Sequence, residues 1–169
     1  MVDDLQRSNR SNFAKLTDSI SLINYLDTNI WIAAFIAKHP KHISSKQLIV
    51  DCLEQNIEIV TSAHCLAEVY SVLTKLPVAF RIPPEMAVKL IENNIIKKCW
   101  FVDLTYTEYV EIINDAAYKN LVSGAIFDGL HIKAALKAEV NIIYTNNLGD
   151  FRRFDIPERI ILSSPDLMH

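Results

Sequence analysis

Four short segments place acids and amides where they could do chemistry. Asp27, Thr28 and Asn29 follow the apolar run ISLINYL, and Glu68 lies early in a helical stretch after IEIVTS. Asp128 opens FDGLHIKAAL, while Thr145, Asn146 and Asn147 close the run NIIYT with Asp150 just beyond. Each has an ordinary explanation. Asp-Thr-Asn after a strand is what a helix N-cap looks like, and for Asp27 alone capping is the first reading. Glu68 shares the polar side of its helix with His64, Ser71 and Lys75, the pattern of a solvated surface acid. Asp128 suits the positive end of a helix dipole, yet it lines up with Ile132 and Ala135 on an apolar stripe. Asn147 alone is a loop residue. Together they say more, because three acids and an amide gathered at one sheet edge repel one another unless a cation lies between them. Oxygen donors with no cysteine set and no evident histidine pair select Mg²⁺ or Mn²⁺ over zinc. The chemistry that follows is phosphodiester hydrolysis, in which the ion acidifies a water and stabilises charge on the scissile phosphate.

The elements that must position these residues are legible from periodicity. ISLINYL reads as a strand apolar on both faces, as in the centre of a parallel sheet, and NIWIAAFIAK and SSKQLIVDCLEQN read as the helices after it. IEIVTS is a second strand, and AHCLAEVYSVLTKL a helix with Leu66, Val69, Tyr70, Leu73 and Leu76 at helical spacing and Ser62 at its N-cap. EMAVKLIENNIIKK is a helix, WFVDL a strand, and TYTEYVEIINDAAYKN a helix capped by Thr105 or Thr107. AIFDGLHIKAALKA is helical despite Gly129, and NIIYT and RIILS are the last strands. Strands alternating with helices imply a three-layer α/β/α fold around a mostly parallel sheet. In such sheets ligands gather at the carboxyl ends of the strands, where all four segments fall. The polar stretch 1–19 is expected to be an N-terminal arm, either flexible or a short added element, and 20–169 the folded domain.

A chain of 169 residues that is 50% hydrophobic and 22% charged supports one domain with a real core. No run qualifies as a membrane span and no export signal opens the chain, so a cytoplasmic protein is expected. Cys52, Cys65 and Cys99 are odd in number and widely spaced, which argues against both a disulfide framework and a cysteine zinc site. The net charge of -3 gives no global attraction to nucleic acid. With three glycines there is no phosphate-cradling loop and no nucleophile elbow.

From Ile20 onward the chain resembles PIN-domain ribonucleases, in particular the VapC-type toxins of toxin–antitoxin pairs. The resemblance rests on YLDTN, LAEVYSVLTKLP, FDGLHIKAAL and IIYTNNLGDF, in that order and setting. SVLTKLP followed by RIPPEMAVKLI resembles the helical insertion these proteins carry before their third strand. It implies a PIN-like fold over 20–169 and an Mg²⁺-dependent (or Mn²⁺-dependent) endoribonuclease. Asp27, Glu68 and Asp128 match the metal-binding acids, and Asn147 the fourth catalytic position, where many relatives carry aspartate. An amide there lowers the charge of the site and implies one firmly held metal. Thr28, Thr145 and Asp150 match supporting residues. The implied partners are an RNA substrate, a cognate antitoxin and a second copy in a homodimer, with no membrane.

The remaining signals read as structure. His131 is favoured as a core histidine over a general base. His39 and His42 lack a third ligand for zinc, and Trp31 and Phe35 are core or interface residues. Arg152 and Arg153 are either solvated or phosphate contacts. A phosphatase with Asp27 as nucleophile would need a second Asp at the position held by Asn29. The alternative outside enzymology is a PIN-like module with a degenerate site that binds RNA or protein.

Overall fold

The computed structural model describes residues 22–77 and 81–167. The expected N-terminal arm, 1–19, lies outside these. Strand β1 (Ile23–Leu26) leads into helix α1 (Thr28–Phe35) and then α2 (His42–Glu54); β2 (Glu58–Ser62) leads into α3 (Ala63–Lys75) and α4 (Pro84–Ile91). After β3 (Trp100–Val102) come α5 (Tyr106–Tyr118) and α6 (Ala125–Lys137), then β4 (Ile142–Tyr144), the short α7 (Leu148–Phe151) and β5 (Ile161–Ser163). The sheet order is β3-β2-β1-β4-β5, and every pairing is parallel. The expected three-layer α/β/α arrangement is therefore what the chain forms, with the sheet parallel throughout the described residues.

Strand alternation divides the core into two halves. Leu26, Ile59 and Tyr144 face one side, where they pack with Ile30, Trp31, Leu48, Val69 and Leu73 of α1, α2 and α3. Tyr25, Val60 and Ile143 face the other, against Ile132, Ala134 and Ala135 of α6. β1 is thus buried on both faces, which is why its residues are apolar in succession rather than alternately. The three cysteines are buried and free, and Trp31 is a core residue with no exposed surface.

Local sequence sets the ends of these elements. Of the two candidate caps, Thr105 rather than Thr107 caps α5, in a capping box with Glu108. Gly129 sits inside α6 because a Cβ there would meet Ile112 Cγ2 and Phe154 Cε1 at 2.8 Å. With so few glycines, Asn56, Asn120 and Glu139 take the left-handed position after α2, α5 and α6. In each case the next amide closes back on the helix, as Ile57 does to the Cys52 carbonyl. The helix expected to run through EMAVKLIENNIIKK is α-helical only to Ile91 and widens into a π-turn over Glu92–Ile96 that keeps Ile95 buried. No helix of the described residues is long and apolar enough to cross a membrane.

Candidate active site

The chain leaves β1 toward β2 on one side and returns to β4 on the other, so the carboxyl ends of β1 and β4 form the switch point of the sheet. Asp27 immediately follows β1, and Thr145 immediately follows β4. Thr145 Oγ1 donates to Asp27 Oδ2 at 2.7 Å, and the Thr145 oxygen accepts from Asn29 Nδ2 and from the Asn147 amide, each at 3.0 Å. Asn29 Oδ1 in turn accepts from the Asn146 amide at 2.8 Å. The YLDTN and TNN segments are therefore sewn together across the strand ends, and Asp27 is fixed in the process.

Asp27 occupies the N-cap position of α1 with extended backbone, but its side chain makes no cap hydrogen bond. The capping reading is corrected: the carboxylate turns instead to Thr145 and to His131, whose Nε2 lies 3.3 Å from Asp27 Oδ1. Ser62 is a second correction, since it holds the N-cap position of α3 without capping it. Its hydroxyl accepts from Tyr25 at 2.9 Å and lies 3.3 Å from His64 Nε2.

Glu68 is not a solvated surface acid. The first turns of α3 bring His64 and Glu68 to the end of the sheet, where Glu68 Oε2 accepts from Thr28 Oγ1 at 2.8 Å and contacts His131 Nε2 at 2.9 Å, while Ser71 and Lys75 on the same side stay exposed. Asp128 lies in the first turn of α6, partly buried. Burial and then the charges of Asp27 and Asp150 push its carboxyl up to about 7, with Glu68 adding to the same effect. Asp150 sits on α7 and stays below the usual carboxylate range because Asn147 Nδ2 and Arg153 both donate to it. Asn147 itself is exposed, and its side chain is spent on Asp150 rather than turned toward Asp27 or Glu68. Arg153 is accordingly tied to the rim, and no such bond is seen for Arg152.

His131 is the residue that the sequence undervalued. It is buried, as a core histidine would be, yet its Nε2 stands between Asp27 and Glu68 and 3.0 Å from Thr28 Oγ1. Burial would depress its pKa, but the charges of Asp27, Glu68 and Asp128 more than offset this and raise it. The Asp27 carboxyl is raised by burial against the pull of His131 and Thr145. For Glu68, burial is outweighed by the hydrogen bond and charge of His131, and its pKa is lowered. The signal was available: three residues along a helix is about 60° of rotation, so His131 leaves α6 on the face of Asp128. His64 was also missed. Its ring lies 4.5 Å from that of His131, and burial followed by the His131 charge holds it neutral, down to about 3. His39 and His42 instead engage the backbone, at the Lys41 amide and the Ala33 carbonyl.

A PIN-domain family model matches residues 25–157. The chain belongs to the PIN-domain family. Solved structures of the same fold include VapBC2 from Rickettsia felis bound to a DNA fragment from its promoter, at 25% identity and a TM-score of 0.60, covering 85% of this chain and 98% of that one. VapC20 of Mycobacterium tuberculosis, described as a sarcin-ricin loop cleaving toxin, is 17% identical with a TM-score of 0.62, covering 80% of this chain and 97% of that one. FitAcB from Neisseria gonorrhoeae is 15% identical with a TM-score of 0.60, covering 86% and 99%. Comparison with curated proteins gives no match.

Proposed function

We propose that this chain is an Mg²⁺- or Mn²⁺-dependent endoribonuclease and the toxin of a type II toxin–antitoxin pair, working in the cytoplasm. The observation that carries this reading is geometric: at the switch point of the sheet Asp27 is held by Thr145 at 2.7 Å, Glu68 by Thr28 at 2.8 Å, and His131 Nε2 lies within 3.3 Å of both carboxylates. A set of acids that mutually oppose ionisation fits a divalent cation, and oxygen donors suit Mg²⁺ or Mn²⁺. Asp27, Glu68 and Asp128 are the residues that would hold it. Bound there, such an ion would supply an acidified water and charge stabilisation for phosphodiester hydrolysis.

The chain's own residues prepare the rest. Thr145 fixes one oxygen of Asp27, and Thr28 fixes Glu68, so both carboxylates are oriented before any ligand arrives. Asn147 and Asp150 form the rim beside Asp128, and Asn147 acts there as a neutral donor rather than a charged ligand. The likeness to VapBC and FitAB structures supports an antitoxin partner, and a homodimer belongs to the same proposal.

The test is RNA cleavage by the purified full chain with Mg²⁺ or Mn²⁺, repeated after chelation and after restoring the ion. Cleavage that vanishes with chelator and returns with metal is expected. Tight RNA binding without cleavage under all metal conditions would favour the binding-module alternative.

A further inference from the structure

His64, Glu68 and His131 gather two imidazoles and a carboxylate, with ligand atoms all within 4.8 Å of one another. His64 and Glu68 are one turn apart on α3, so they leave the same face of that helix. His131 arrives on α6, from the opposite side of the sheet. Its Nε2 is 2.9 Å from Glu68 Oε2, and the two rings are 4.5 Å apart.

A buried pair of hydroxyls steadies both rings. Tyr25 donates to Ser62 Oγ at 2.9 Å, and its oxygen lies 2.8 Å from His131 Nδ1. Because the Tyr25 proton goes to Ser62, the phenol oxygen is placed to accept from Nδ1–H, which leaves Nε2 as the nitrogen presented to Glu68. Ser62 Oγ then reaches His64 at 3.3 Å. Metal-binding imidazoles are held in this way, one nitrogen engaged by an outer partner and the other facing the ion. Tyr25 and Ser62 are fully buried, and their pairing reaches both imidazoles, whereas orienting His131 toward the carboxylates needs only Tyr25.

We propose that His64, Glu68 and His131 form a binding site for a first-row transition ion of the Zn²⁺ or Co²⁺ type, in preference to Mg²⁺. Two nitrogens and one carboxylate are a borderline donor set, which suits these ions, whereas Mg²⁺ takes oxygen. An ion held there ties α3 to α6 over the end of β2, because its ligands come from both faces of the sheet. The site shares Glu68 with the proposed ribonuclease centre and borders it at His131, whose Nε2 lies 3.3 Å from Asp27 Oδ1, so it rests on that reading through these two residues.

The experiment is calorimetric titration of the metal-stripped full chain with Zn²⁺ and, separately, with Mg²⁺, without RNA. Zn²⁺ is expected to bind more tightly than Mg²⁺ and to raise the melting temperature further at equal concentration. His64→Gln, whose folding is checked by circular dichroism, is expected to weaken Zn²⁺ binding about tenfold or more. Unchanged Zn²⁺ affinity in this variant overturns the proposal. A measurement on wild type guards against a variant that fails to fold: one equivalent of Cu²⁺ should give an electron paramagnetic resonance spectrum with nitrogen couplings. An oxygen-only spectrum overturns the proposal as well. Cleavage of RNA by the same preparation is scored separately, so an inactive protein that binds Zn²⁺ through His64 refutes the ribonuclease reading and leaves this one standing.

Discussion

Asp128→Asn is the substitution whose effect can be worked out furthest. In the metal-free protein the Asp128 carboxyl is pushed from 3.8 to about 7, burial contributing most and Asp27 next. The folded state thus holds a proton that the unfolded state has lost, and stability falls as pH rises between those values. Above pH 7 the cost levels off. At about 1.4 kcal/mol per pH unit the interval corresponds to about 4 kcal/mol, and partial access to solvent reduces the expected figure to about 2 kcal/mol. Asparagine cannot ionise and escapes the cost. In urea unfolding with chelator present, Asp128→Asn is therefore expected to exceed wild type by about 2 kcal/mol at pH 8 and to match it near pH 4, worth about 4–8 °C in melting temperature for a chain of this size. Saturating Mg²⁺ should reverse the order, since only the wild type gains the full set of ligands. An advantage that is equal at both pH values, or absent at pH 8, would refute the electrostatic account of this site.

Two further substitutions test the framework around the acids. Thr145→Val removes the donor to Asp27 Oδ2 and the acceptor used by Asn29 and the Asn147 amide; a loss of about 2–3 kcal/mol is expected by chemical denaturation, with Thr145→Ser close to wild type. Gly129→Ala would be stabilising by about 1 kcal/mol on helix propensity alone, but its Cβ meets Ile112 and Phe154 at 2.8 Å. Overpacking costs about 1–3 kcal/mol, so a net decrease in melting temperature is expected, and an increase would show that α5 and Phe154 yield freely.

The sheet and its order of helices were readable because burial leaves a period in the sequence, and Asp27 stood out as a carboxylate after a strand apolar on both faces. What periodicity could not supply was the direction of the polar faces. The polar side of α3 is a solvent face at Ser71 and Lys75 but meets the end of the sheet at His64 and Glu68, and one periodic pattern covers both. His64 meets His131 only through the packing of helices from opposite faces, and no local signal encodes that meeting. Asp27 shows the converse problem. Its backbone is that of an N-cap, and the sequence pattern reports the backbone, while the side chain is diverted by Thr145, which is remote in sequence. Asn147 was placed correctly on the loop after β4, but its amide is engaged by Asp150, three residues on.

The most direct measurement is the rate of RNA cleavage with Mg²⁺ by wild type and by Asp27→Asn, with RNA affinity measured alongside. Asp27→Asn keeps the shape of the side chain and can still accept from Thr145, so it should fold and bind RNA. A fall in cleavage rate of about a hundredfold or more is expected if Asp27 contributes a charge to metal-assisted hydrolysis. Cleavage at the wild-type rate by this folded variant would contradict the assignment of the active site.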